Sequence, residues 1–229
     1  MTKIYDKTFR RVIAIGDIHG YLDKLKQLWE MIKFVDGEDL VIFLGDYVDR
    51  GPKSVDCLRY VKHLVEANTT VVTLLGNHDA LMLDYFSFHG NAKGEDGNAK
   101  DIWLAPANGG LLTLKQLKQL PQEEQTELLD FVGTLPMMFS YKEYVFVHAG
   151  LNPASKTQSV EDLLWSRMEF LTSYKGDKTI VVGHTPVSYL GDYHRPLKLN
   201  NILMVDTGAA YGYRLSAVDV LSKKVWQSD

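Results

Sequence analysis

Val12-Ile13-Ala14-Ile15-Gly16-Asp17-Ile18-His19-Gly20 sets the reading of the whole chain. Four apolar residues in a row, with no polar alternation, read as a strand covered on both faces. The glycine lets the backbone turn sharply at its end, and two metal-ligand residue types follow at once. The same grammar recurs. Val41-Ile42-Phe43-Leu44-Gly45 delivers Asp46, Val71-Val72-Thr73-Leu74-Leu75-Gly76 delivers Asn77, Tyr144-Val145-Phe146-Val147 delivers His148, and Ile180-Val181-Val182-Gly183 delivers His184. In sheets built with crossover helices, the reactive crevice lies beyond the carboxyl ends of the strands. One Asp or His after a strand is ordinarily a turn residue or a helix cap; five in one chain, all in the same place, form a constellation.

Outward from these segments, Tyr21 to Phe34 has helical spacing, with Leu22, Leu25, Leu28, Trp29 and Ile32 on one face. Ser54 opens a second helix to about Glu66, and Thr70 to Leu75 is the third strand. This β-α-β-α-β rhythm predicts parallel strands with covering helices. Leu111 to Leu120 and Gln122 to Val132 read as helices broken by Pro121. After Pro136 the texture becomes strand-rich: Met137 to Tyr141, Tyr144 to Val147, Thr179 to Val182, Asn201 to Val205, Leu215 to Leu221 and Lys224 to Trp226, some close enough for hairpins. His89 to Lys100, rich in Gly and Asn, reads as a mobile loop.

Mixed carboxylate and imidazole donors without thiolate suit manganese first, with iron or zinc as alternatives. Asp46 lies between the Asp17/His19 pair and the Asn77/His148/His184 set, which makes it the natural bridge between two cations about 3.5–4 Å apart. Two divalent ions offset by two carboxylates and a hydroxide leave a positive centre that attracts phosphate and lowers the pKa of water. Arg50, in Asp49-Arg50-Gly51, could fork onto phosphate oxygens, though a surface ion pair explains it equally well alone. His78 could protonate a leaving alkoxide, with Asp49 holding the imidazole charged.

At 229 residues, 45% hydrophobic and 24% charged, the chain suits one catalytic domain over 1–229. A net charge of −4 argues against nucleic acid and anionic membranes as partners. The single cysteine, Cys57, precludes an internal disulfide and fits a reducing compartment. With no stretch of signal-peptide or membrane-span length, the expectation is a cytoplasmic protein.

Gly16-Asp17-Ile18-His19-Gly20, Gly45-Asp46-Tyr47-Val48-Asp49-Arg50-Gly51, Gly76-Asn77-His78-Asp79, His148-Ala149-Gly150 and Gly183-His184-Thr185 together resemble the calcineurin-like metallophosphoesterases. More closely they are similar to the phosphoprotein phosphatase family in its compact bacterial and phage type, over about Val12 to Leu221. The resemblance implies an α/β (α+β) fold: a β-sandwich of mixed sheets flanked by helices, in four layers α/β/β/α. It implies that Asp17, His19 and Asp46 hold one ion and that Asp46, Asn77, His148 and His184 hold the other. It makes His78 the general acid paired with Asp49, and Arg50 a phosphate clamp. Trp165-Ser166-Arg167 resembles a second clamp segment, so Arg167 is a candidate, although the residues themselves read equally as an exposed helix. Asp79 stands where this family more often has Glu, and no regulatory subunit is evident.

The leading functional expectation is a dimetal serine/threonine protein phosphatase, with phosphotyrosine also in range, working by in-line attack of metal-bound hydroxide on a phosphorylated protein or small phosphorylated substrate. The alternative is dinucleoside tetraphosphate hydrolysis, for which Tyr85, Phe86 and Phe88 could offer aromatic faces; a buried helix stripe explains them more simply. A non-catalytic phosphate-binding module ranks third, because His78 and Asp49 accompany the full ligand set. Asp206-Thr207-Gly208-Ala209-Ala210-Tyr211 resembles a family loop that approaches the site, but Tyr211 reads more readily as part of a turn; Asn108-Gly109-Gly110 could shape the substrate entrance or simply start the following helix.

Overall fold

The alternating side chains of a strand must bury two faces, and this chain meets that demand by stacking two sheets between layers of helices. The structure, a computed structural model, describes residues 7–86 and 99–229. The first sheet contains β1 (Arg11–Ile15), β2 (Asp39–Phe43), β3 (Val71–Thr73), β9 (Ser216–Asp219) and β10 (Val225–Gln227), in the order β10-β9-β1-β2-β3. The second contains β4 (Met138–Tyr141), β5 (Tyr144–Val147), β6 (Thr179–Val182), β7 (Leu197–Leu199) and β8 (Ile202–Met204), in the order β4-β5-β6-β8-β7.

The expected β-α-β-α-β unit is present. β1, β2 and β3 pair in parallel, with Ile13 opposite Val41 and Val41 opposite Val71. Their crossovers are α1 (Leu22–Ile32) and α2 (Ser54–Ala67). Both move the chain in the same direction across the sheet, so right-handed connections place both helices on one face. The later strands pair as hairpins β4/β5, β7/β8 and β9/β10, so both sheets are mixed. Lys142 and Asn200 supply left-handed turn residues in the first two.

Strand periodicity sorts the core into three slabs. Val12, Ala14, Leu40, Ile42 and Val72 of the first sheet meet Phe139, Tyr141, Phe146, Val181 and Leu203 of the second. On the outer face of the first sheet, Ile13, Ile15, Val41 and Phe43 pack under α1, α2, α3 (Asn77–Tyr85), α5 (Gly110–Leu117) and α6 (Gln122–Gly133). Outside the second sheet, Val145, Val147, Ile180, Val182, Ile202 and Met204 pack under α7 (Val160–Trp165) and α8 (Met168–Ser173). The layering is therefore α/β/β/α. Ile42, fully buried between the sheets, illustrates the energetics: truncation to Ala costs about 2–5 kcal/mol.

Several boundaries differ from expectation. β3 is shorter than the apolar run that contains it because Leu74 and Leu75 continue into the loop that carries Asn77, and β9 is shorter because Val220 and Leu221 enter the turn to β10. The short α7, α8 and β7 are additions; α7 carries a reciprocal Ser159–Asp162 capping box. Of the expected loop from His89 to Lys100, Ala99 and Lys100 instead open α4 (Ala99–Leu104), and the remainder lies outside the described residues, as does Phe88. Among the described residues no helix is long and apolar enough to cross a membrane.

Candidate active site

The carboxyl ends of β1, β2, β5 and β6, with the start of α3, converge on one buried cluster. Tight turns bring them there. Of the nine non-glycine residues with positive φ among the described residues, five belong to this cluster: His19, Asp46, Asp49, Arg50 and His184. Each left-handed residue costs of order 1 kcal/mol or more, so the fold concentrates backbone strain at these ligand loops. Gly45 and Gly76 permit a close approach of the ligand loops: a Cβ on Gly76 would lie 2.2 Å from the amide nitrogen of Asp46. Asp79 ties the same two loops together. Its carboxylate accepts the N–H groups of Asp46 (2.8 Å), Gly76 (3.0 Å) and Tyr47 (3.0 Å).

Backbone carbonyls orient the imidazoles. His19 Nδ1 donates to Val48 O at 2.8 Å and His148 Nδ1 donates to Leu44 O at 2.9 Å. Each therefore presents the unprotonated Nε2 inward, the arrangement that prepares histidine as a metal ligand. His19 Nε2 lies 3.4 Å from Asp46 Oδ2. His148 Nε2 lies 3.6 Å from Asp46 Oδ1 and 2.9 Å from Asn77 Oδ1, and His184 Nδ1 reaches the same Asn77 oxygen at 2.9 Å. Burial lowers the pKa of His19, His148 and His184, so the neutral ring is favoured. Lone pairs facing lone pairs in a buried site repel unless a cation lies among them. Donor atoms fall into two groups, His19/Asp46/His78 and Asp46/His148/His184, within 4.8 Å in each. Asp46 alone belongs to both. This donor set fits two divalent cations bridged by one carboxylate.

Asp17 is placed differently from the others. Its buried carboxylate accepts the His184 backbone N–H at 3.0 and 3.1 Å, at the edge of the cluster. Burial, then the neighbouring Asp206 and Asp46, raise its pKa. Asp206 itself is pushed up to about 6, mainly by burial. Crowded carboxylates with elevated pKa are a second sign of missing positive charge.

Beside the ligand cluster, His78 Nδ1 lies 2.7 Å from Asp49 Oδ2. Its Nε2 accepts from Arg50 Nη2 at 2.8 Å, while Arg50 Nη1 reaches His19 Nε2. Arginine can only donate, so in this arrangement His78 Nε2 is the acceptor and Nδ1 the donor to Asp49. With both nitrogens engaged, His78 is occupied as a hydrogen-bonding residue even though it lies near His19 and Asp46. Arg50 also stacks over Tyr211, 5.5 Å from the ring centre, which draws the Asp206–Tyr211 turn into the site. Arg167 reaches the rim more loosely, with His184 O at 3.4 Å and Thr185 Oγ1 at 3.5 Å. It is exposed at the head of α8.

Two site residues had no sequence signal of their own. Trp103 Nε1 donates to Asp49 Oδ2 at 2.9 Å, and Thr113 Oγ1 donates to Asp49 Oδ1 at 2.7 Å. Tyr85 and Phe86 pack on Trp103, with ring centres 5.0 and 6.3 Å away, so they serve the helix stripe rather than an open aromatic face.

The chain is similar to several known proteins. Serine/threonine-protein phosphatase 2 of Salmonella typhimurium is 30% identical over 224 residues, 91% of this chain and 92% of that protein. The symmetrical bis(5'-nucleosyl)-tetraphosphatase of Dechloromonas aromatica is 36% identical over 140 residues, 61% of this chain; the matched part spans 44% of the tetraphosphatase's length. A solved structure provisionally named a diadenosine tetraphosphatase shares the fold at a TM-score of 0.69 and 23% identity, over 99% of this chain and 97% of that one. The calcineurin-like phosphoesterase profile matches residues 10–212, and the chain belongs to that family.

Proposed function

We propose that this protein is a dimetal phosphomonoesterase acting on phosphoserine and phosphothreonine in proteins. The observation that carries the reading is the pair of donor groups sharing Asp46, set directly beside Arg50 and the His78–Asp49 pair. Asp17, His19 and Asp46 would hold one cation and Asp46, Asn77, His148 and His184 the other. When bound, such ions supply Lewis-acid neutralisation of phosphate charge and a water acidic enough to attack at neutral pH. Manganese fits the mixed oxygen and nitrogen donors best.

The chain's own residues do the rest. Arg50 turns its fork from the imidazoles to two phosphate oxygens, a geometry that guanidinium matches bidentately. That motion frees His78 Nε2 to take up a proton from solvent and pass it to the leaving oxygen as the ester P–O bond breaks. Asp49 fixes the ring through Nδ1. Arg167, held only weakly at the rim, meets the phosphate from the opposite side. Similarity over nearly the full length of the Salmonella phosphatase supports a protein substrate.

The 36% identity with the symmetrical tetraphosphatase supports a second reading, cleavage of a dinucleoside tetraphosphate. Assaying the Mn²⁺-loaded protein on a phosphoserine peptide and on diadenosine tetraphosphate in parallel separates the two. The proposal expects the peptide to be the better substrate by kcat/KM. A preference of orders of magnitude for the dinucleotide overturns it.

A further inference from the structure

Asp49 is gripped more completely than a simple histidine partner needs. Its carboxylate is fully buried and receives His78 Nδ1 at 2.7 Å, Trp103 Nε1 at 2.9 Å on one oxygen and 3.1 Å on the other, and Thr113 Oγ1 at 2.7 Å. The backbone is held as well: Asp49 N donates to Ser54 Oγ and Thr113 Oγ1, both at 3.0 Å, in a left-handed conformation. Thr113 therefore binds Asp49 at both ends. Trp103 and Thr113 are themselves wholly buried.

The junction of α4 and α5 is shaped to bring these donors in. A Cβ on Gly109 would lie 2.6 Å from Arg50 N, and a Cβ on Gly110 would lie 2.6 Å from Trp103 Nε1. The Gly109-Gly110 pair thus seats one turn of chain against Arg50 and the indole against Asp49. Without these donors a buried carboxylate has unfilled acceptor sites and a choice of rotamers, and the imidazole it steers loses its aim.

We infer that Trp103 and Thr113 are positioning residues, which hold Asp49 so that His78 Nε2 faces the leaving oxygen. This rests on the phosphoesterase reading above. In that step water oxygen bonds to phosphorus and gives up a proton to solvent, the ester P–O bond breaks, and the departing oxygen takes the proton that His78 Nε2 has picked up from solvent. An alkoxide leaving group depends on that proton, whereas p-nitrophenolate leaves readily without it. Loss of positioning must therefore penalise alkyl esters more than aryl esters. A general weakening of the fold would penalise both alike.

The test compares kcat on a phosphoserine peptide and on p-nitrophenyl phosphate for wild type, Thr113→Val, Thr113→Ser and Trp103→Phe, each loaded with Mn²⁺ and assayed for metal content. For Thr113→Val and Trp103→Phe, kcat on the peptide should fall about tenfold, the scale of one lost hydrogen bond to a charged group, and on the aryl ester about twofold. Metal content should hold, and Thr113→Ser, which restores the hydroxyl, should recover the peptide rate. Equal losses on the two esters, or none, would overturn the assignment while leaving the phosphoesterase reading intact. Should Trp103→Phe not fold, the near-isosteric Thr113→Val decides alone. A metal-loaded wild type inert on both esters would overturn both the reading and the inference.

Discussion

The two ends of β2 treat buried carboxylates in opposite ways. At the amino end, Asp39 is fully buried and meets its charge inside the protein: Arg10 Nη2 lies 2.9 Å from Oδ2, Arg11 Nε 2.9 Å from Oδ1, and Val35 N donates at 2.9 Å. Burial is outweighed by these partners, and the Asp39 carboxyl falls to about 2. At the carboxyl end of the same strand, Asp17, Asp46 and Asp206 crowd together with Arg50 and Arg167 as nearby side-chain cations. Their surroundings raise Asp17 and Asp206, while the shared carboxylate Asp46 is lowered, burial being outweighed by the imidazoles of His148, His78, His19 and His184. One end closes its electrostatics with arginine; the other leaves them open, facing neutral imidazoles. A fold that can neutralise a buried carboxylate, and does so a few residues away, has shaped the second cluster for positive charge from outside.

Breaking the open end should have the largest effect. Asp46→Asn removes the carboxylate shared by both donor groups, and should cut bound Mn²⁺ and lower kcat/KM by at least about 10³-fold, read by metal analysis and peptide assay. His78→Asn should lower turnover of the phosphoserine peptide by about 10²–10⁴-fold while bound metal is retained. Parallel loss of metal and activity would instead make His78 a ligand. Next, Arg50→Ala should raise KM more than Arg167→Ala, because Arg50 lies between His19 and His78 whereas Arg167 makes only long contacts. Steady-state kinetics on one peptide compares them directly.

The closed end should respond in stability and leave metal binding intact. Asp39→Asn should cost about 2 kcal/mol in denaturant unfolding, since a pKa displaced by nearly two units corresponds to that much differential interaction. The pH dependences of the two ends should have opposite signs. Asp39 has a lowered folded pKa, so its contribution is present above the unfolded value near 4 and is lost as pH falls toward about 2. Asp206 has a raised folded pKa, so the metal-stripped protein should lose stability as pH rises from about 4 to about 6. Mn²⁺ should oppose that second loss and leave the first unchanged.

The open end was the legible one. Runs such as Val41-Ile42-Phe43-Leu44-Gly45-Asp46 mark both a strand and what it delivers, because burial of a central strand and placement of a ligand after it are local properties. Trp103 and Thr113 lie 54 and 64 positions from Asp49, and nothing in their spacing links them. Their one trace was Asn108-Gly109-Gly110, which starts α5 as expected and, through close approach to Arg50 and Trp103, also shapes the site. Tyr211 was likewise read as a turn residue, and it is one; its stacking on Arg50 is a tertiary fact. Asp39 was invisible for a different reason. It begins a strand, where an acidic residue ordinarily reads as a solvent-facing end, and only the fold brings Arg10 and Arg11 against it.

The most direct test is the Mn²⁺ stoichiometry of the wild-type protein beside Asp46→Asn and Asp39→Asn, measured by calorimetric titration on metal-stripped samples. Two ions bound by wild type and by Asp39→Asn, with binding lost or reduced in Asp46→Asn, is the predicted outcome. Full phosphoesterase activity in a protein that binds no divalent ion, or undiminished two-ion binding by Asp46→Asn, would contradict it.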